Sequence, residues 1–157
     1  MKLKYLALSV CAATFMSCNS DKPVAADPTL KDILGNKFLV GVAINSEQPV
    51  GRDTSGVDVV RRHFNSIVAE NCMKSEVIHP EEDRYDFSLA DEFVKFGEDN
   101  GMFIIGHCLV WHSQLSPWFC VDADGKNVSP EVLKERLRSH IHTIVGRYKG
   151  RIKGWDV

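Results

Sequence analysis

Four short apolar runs alternate with segments of helical period along this chain, and that alternation restricts it to parallel β/α units joined by crossover connections. The runs are Phe38–Ile44, Ser66–Ala69, Phe103–Gly106 and Ile152–Val157. The first is almost continuously apolar, the pattern of a strand buried on both faces. Between the runs, Val57 to Phe64 forms a short helical segment, and Leu89, Phe93 and Phe96 mark a helix that Asn100-Gly101 stops. Leu133, Leu137, Ile141, Ile144 and Tyr148 mark a longer helix, with Ser129 placed as its N-cap and Pro130 at its first position.

Two architectures satisfy four such units: a doubly wound open sheet, or a (β/α)8 TIM barrel. An open sheet of this kind usually carries a Gly-rich phosphate loop after its first strand, whereas Ile44 here runs into Asn45-Ser46-Glu47-Gln48. That counts against the open sheet, and the motifs described below favour the barrel, but a complete barrel takes about 250 residues. With 157 residues the chain supplies only its first half, a truncated barrel of about four strands. Val110 to Asn127, rich in Trp, Pro and Gly, reads as one long irregular loop, and loops of that length are usually functional.

Hydrophobic residues make up 44% of the chain and charged ones 25%, the composition of an ordinary globular domain. The formal charge is only -2, with acids and bases interleaved, so the sequence gives no basic patch for nucleic acid and points to a small or uncharged partner.

The first residues have the layout of an export signal. Lys2 and Lys4 precede an apolar run, Tyr5 to Met16, that is too short to span a bilayer. Residues 1–17 are read as a signal peptide ending before Cys18, a candidate lipidation site, and residues 18–30 as a polar tether. The reading is of an exported, membrane-anchored lipoprotein, periplasmic or at the cell surface. A plain cleaved signal with an incidental cysteine is the alternative. Residues 31–157 then form the globular part. Of its three cysteines, Cys72 and Cys108 are read as small buried fillers on strands; with Cys120 they have neither disulfide pairing nor zinc-site spacing.

Parallel β/α folds bind ligands beyond the C-terminal ends of their strands. After the second strand come Glu70, Asn71 and Lys74; after the third come His107, Trp111, His112 and Gln114, with Trp118 further along. A carboxylate, amides, a lysine and an imidazole suit the hydroxyls of a pyranose, and tryptophans offer flat faces to its ring. Singly, each has an ordinary explanation. Glu70 and Lys74 could be a surface pair, His107 a satisfied core histidine and Trp118 a packing residue; it is their grouping at successive strand ends that points to a site.

The stretches Ala69-Glu70-Asn71-Cys72-Met73-Lys74, His107 through Gln114 with Pro117-Trp118, and Arg147-Tyr148-Lys149-Gly150 through Trp155-Asp156-Val157 resemble glycoside hydrolase family 10 in order and approximate spacing. Phe64-Asn65-Ser66 and Pro80-Glu81 through Tyr85-Asp86-Phe87 fit the same pattern. The resemblance runs from about Phe38 to the last residue. It implies a retaining endo-β-1,4-xylanase acting on xylan or xylo-oligosaccharides, with no cofactor and no metal. It also implies that Glu70, Asn71, Lys74, His107, Trp111 and Gln114 hold sugars on the glycone side of the cleaved bond. His112 and Trp118 would play supporting parts, as would Asp156.

Retaining hydrolysis needs two carboxyl groups about 5 Å apart. In the family the acid/base glutamate follows W-D-V-V-N-E on the fourth strand and the nucleophile lies on the seventh, whereas this sequence ends at Trp155-Asp156-Val157. No residue here is therefore assigned a catalytic role, and the chain alone is expected to be inactive. Two other readings stay open: a non-catalytic surface glycan-binding protein, and a related barrel β-glucanase or cellulase.

Overall fold

The structure is a computed structural model that describes residues 27–157. The export signal, Cys18 and most of the tether lie outside the described residues. Among those described, no helix is long and apolar enough to cross a membrane.

Four parallel strands form one sheet in sequential order: β1 (Gly41–Ile44), β2 (Ser66–Ala69), β3 (Phe103–Gly106) and β4 (Gly154–Trp155). That order decides between the two architectures. A doubly wound sheet reverses direction at a switch point, whereas a barrel adds each strand beside the last. The helices are α1 (Leu30–Leu34), α2 (Val57–His63), α3 (Ser75–Ile78), α4 (Ser88–Asp99) and α5 (Pro130–Arg147).

The longer helices start and stop where local chemistry dictates. Ser129 accepts from the Val132 amide at the head of α5, and Pro130 fills the first helical position, where no amide proton is needed. Gly101 ends α4 in the left-handed region at φ 61°, letting the Gly101 and Met102 amides reach back to the carbonyls of Glu98 and Gly97. Between those ends Ala90, Phe93, Val94, Phe96 and Gly97 form the buried stripe that seats α4 on the sheet. Fully buried Phe93, Ile67, Ile104 and Ile144 each contribute about 1.5 to 3 kcal/mol on leaving water.

Two elements lacked an apolar pattern. Helix α1 begins at the last residue of the expected tether, with a reciprocal cap in which Thr29 and Asp32 bond each other's amides. Helix α3 is a single turn with Lys74 at its N-cap.

Ile67 and Ile104 pack under the helices, while Ala43, Val68 and Ile105, neighbours on the opposite face, line an apolar depression that is open among the described residues. Two expectations need correction. Phe38 and Leu39 lie outside β1 and are exposed. Cys72 and Cys108 are buried, yet both sit in the turns just past β2 and β3, not on strands. The 110–127 segment is also more ordered than its composition suggests. It holds a 3-10 turn at Pro117–Phe119 and an antiparallel bridge between Val121 and Asn127, and it is pinned by Ser116 and Trp118, which both donate to the His79 carbonyl.

Candidate functional site

The turns after β2 and β3 meet at the C-terminal end of the sheet. Lys74 is their hinge: only 8% exposed, its ammonium donates to Asn71 Oδ1 at 3.0 Å and to Gln114 Oε1 at 2.6 Å. The same ammonium lies 4.9 Å from the centre of the Trp111 ring, within reach of a cation–π attraction. Gln114 closes the triangle by donating to Asn71 Oδ1 at 3.3 Å. It is held in the left-handed region at φ 54°, uncommon for a residue with a side chain. Its carbonyl is fixed there by the Glu76 amide and the Ser75 hydroxyl.

His107, which follows β3, faces Asp156, which follows β4, with Nδ1 2.8 Å from a carboxylate oxygen. A carboxylate only accepts, so Nδ1 carries a proton, and in the neutral ring Nε2 is then the acceptor. Glu70 and His107 border one shallow hollow with Ala43, Val68 and Ala69, and His107, Trp111 and Asp156 border the next. Glu70, Asn71, Lys74, His107, Trp111 and Gln114 are thus brought to one surface. Asp156 joins them as the group that orients His107.

His112 and Trp118 are placed differently. His112 is exposed, its ring edge-on to Trp111 at 5.6 Å. Trp118 lies over His79, at 4.5 Å between ring centres, and borders a hollow of about 380 Å³ with Glu82, Asp83 and Arg136. Three of the groups around that hollow, Arg136, Glu82 and Trp118, are spent on one another and on nearby carbonyls. Arg136 pairs with both oxygens of Glu82 and donates to the carbonyls of Trp118 and Val121, and the Trp118 indole donates to the His79 carbonyl. It serves as a brace between α5 and the long loop.

Burial pushes the Cys72 thiol up to about 12, and burial together with the Asp156 carboxylate raises Cys108. Neither is a nucleophile at neutral pH.

Sequence reasoning missed a buried pair of histidines. His79 and His140 point their Nδ1 atoms at each other across 2.9 Å, while Nε2 of His79 faces the Glu82 carbonyl and Nε2 of His140 faces that of Leu109. The available signal was position: His140 falls on the apolar stripe of α5, between Leu137 and Ile144, where a polar residue needs a partner.

The family model described as glycosyl hydrolase family 10 matches residues 29–157. Endo-1,4-beta-xylanase A of Xylanibacter ruminicola is 55% identical over 139 residues, covering 86% of this chain and 38% of the relative. A crystallised xylanase from Paenibacillus barcinonensis superposes with a TM-score of 0.77 at 40% identity, covering 85% of this chain and 39% of that one. Xylanase 10B from Thermotoga petrophila, solved in complex with xylobiose, gives 0.74 at 38% identity over 82% of this chain and 39% of that one. The chain spans about two-fifths of the length of these three relatives.

Proposed function

The chain belongs to glycosyl hydrolase family 10, and we propose that it forms the glycone-binding half of an endo-1,4-β-xylanase barrel acting on xylan or xylo-oligosaccharides. The observation that carries this reading is the triangle of Lys74, Asn71 and Gln114 beside the Trp111 ring. An ammonium has three protons; Asn71 and Gln114 take two, leaving one for a sugar hydroxyl. Asn71 keeps its amide protons, and His107 offers an acceptor at Nε2. Donors and acceptors beside an aromatic face are what a neutral, hydroxyl-rich ring requires.

The proposed chemistry is retaining hydrolysis through a covalent glycosyl-enzyme, with acid/base and nucleophilic carboxylates about 5 Å apart supplied from outside these residues. Glu70 binds in this scheme and does not attack. The complete enzyme should release reducing sugar from xylan faster than from cellulose or mixed β-glucan, while the 157 residues alone should release none. Hydrolysis by the chain alone, abolished by Glu70→Gln, would place the chemistry on Glu70 instead. Preference for glucan in the complete enzyme would favour the glucanase reading.

For location, we propose export and anchoring through a lipid on Cys18, supported by the basic start, the short apolar run and the polar stretch after the cysteine. Cys18→Ser should move the protein from the membrane fraction to the soluble one in a bacterial host. An unchanged distribution would leave the plain cleaved signal.

A further inference from the structure

Three hydrogen bonds run through the His79–His140 pair, and counting protons shows what they need. Each Nε2 faces a carbonyl oxygen, which can only accept, so each Nε2 must carry a proton. The Nδ1 atoms lie 2.9 Å apart, so a third proton must stand between them. Two neutral imidazoles hold two protons in all. All three contacts can be made only by a pair that has taken up one more.

We propose that His79 and His140 act as a positioning pair that shares one added proton, and that this proton decides whether the Leu109 carbonyl, and with it the segment carrying His107 and Trp111, is held in place. The role in substrate binding rests on the glycone site proposed above. The proton comes from solvent and returns to it, and no bond other than N–H is made or broken.

The surroundings tolerate one positive charge and oppose a second. His79 is stacked on Tyr85 at 3.6 Å between ring centres, flanked by Trp118 and met edge-on by Phe119, so aromatic faces surround an imidazolium. The Glu82 and Asp83 carboxylates favour the cation; Arg136, which lines the same hollow and is paired with Glu82, opposes it. From α5, Glu135 also borders that hollow, and the Tyr85 hydroxyl is buried with no partner among the described residues. Burial is the largest influence on each ring and holds both below the ordinary imidazole value of 6.5, with His140 at about 4 and further disfavoured by charge on His79. Uptake therefore falls on the acid side of 6.5, and the two rings titrate as a unit. The unfolded chain takes up two protons there and the folded pair only one, so global stability is full above 6.5 and declines as pH falls, even as the local contact completes.

When the shared proton leaves, one of the three contacts must lose its donor. The pair can stay bonded only if one Nε2 gives up its proton, and with His140 as the donating ring the Leu109 carbonyl is released. Leu109 also donates its amide to the Asp156 carbonyl, so its release reaches the His107–Asp156 pair.

Two readouts test this in the complete enzyme. In protein labelled with nitrogen-15 histidine, long-range proton–nitrogen spectra between pH 4 and 8 should show both Nε2 atoms of the pair protonated at the acid end and a single shared Nδ1 proton that disappears as pH rises. Over the same range, hydrogen-exchange protection of the Leu109 amide should drop, and KM for xylotriose should rise roughly three- to tenfold with kcat changing less. His140→Gln donates to Leu109 at every pH without titrating and should remove both trends. Persistence of the trends in His140→Gln, or an Nδ1 contact that never gains a proton, would overturn the proposal. Because the spectra and the exchange need no substrate, a protein that fails to act on xylan yet shows the shared proton would fault the functional reading and leave the pair intact.

Discussion

Lys74→Ala should lower kcat/KM on xylan roughly ten- to hundredfold in the complete enzyme while leaving the fold in place, because a desolvated site loses about 1 to 3 kcal/mol for each partner left unpaired. The side chain is a buried hub for Asn71 and Gln114 and a cation against Trp111, so its removal strips a donor from two amide oxygens as well as from the sugar. Contacts remote from the broken bond help distort the sugar toward its oxocarbenium-like transition state. Part of the loss should therefore appear in kcat and not only in KM. Glu92→Ala, on the exposed face of α4, is the matched control and should change the rate little. Steady-state kinetics on xylan and on xylotriose measure both; full activity in Lys74→Ala would remove the centre of the proposed site.

Gly106→Ala should destabilise the domain by about 3 kcal/mol, the upper end of what overpacking a tight core costs. Gly106 pairs in register with Trp155, and a methyl group there would overlap the indole ring. To give way, the indole must turn from its place beside Tyr148 or carry β4 with it. The neighbours on either side are His107 and Asp156, so the displacement should also part the pair that orients His107. Urea unfolding gives the stability loss, and Trp155→Leu in the Gly106→Ala background should recover part of it. An unchanged midpoint in Gly106→Ala would show that β3 and β4 do not meet as described.

How far the sequence can be read depends on which kind of pattern each residue obeys. The runs at 66–69 and 103–106 coincide with β2 and β3, and the start of α5 lies where Ser129 and Pro130 place it, because periodicity and capping are local properties. The same strand runs could not tell that Ala43, Val68 and Ile105 face an open hollow, since burial depends on what lies across the sheet. Helices α1 and α3 are too short for an amphipathic stripe, and the sequence reading contains neither. At the candidate site the residue types were legible, but their pairing was not. Lys74 and Gln114 are forty positions apart and meet only because β2 and β3 are neighbours. Trp118, given a supporting part by the resemblance, lies over His79 and beside Arg136, a contact that no local pattern announces, and the His79–His140 contact joins elements that no sequence window spans.

The most direct measurement is a crystal structure of the complete enzyme with a bound xylo-oligosaccharide. Sugar hydroxyls should lie within hydrogen-bonding distance of the Lys74 ammonium, the Asn71 or Gln114 amide and His107 Nε2, with the Trp111 ring closing one side. A saccharide seated instead beside Trp118 and Arg136, with the Lys74 triangle untouched, would contradict the assignment of the glycone site.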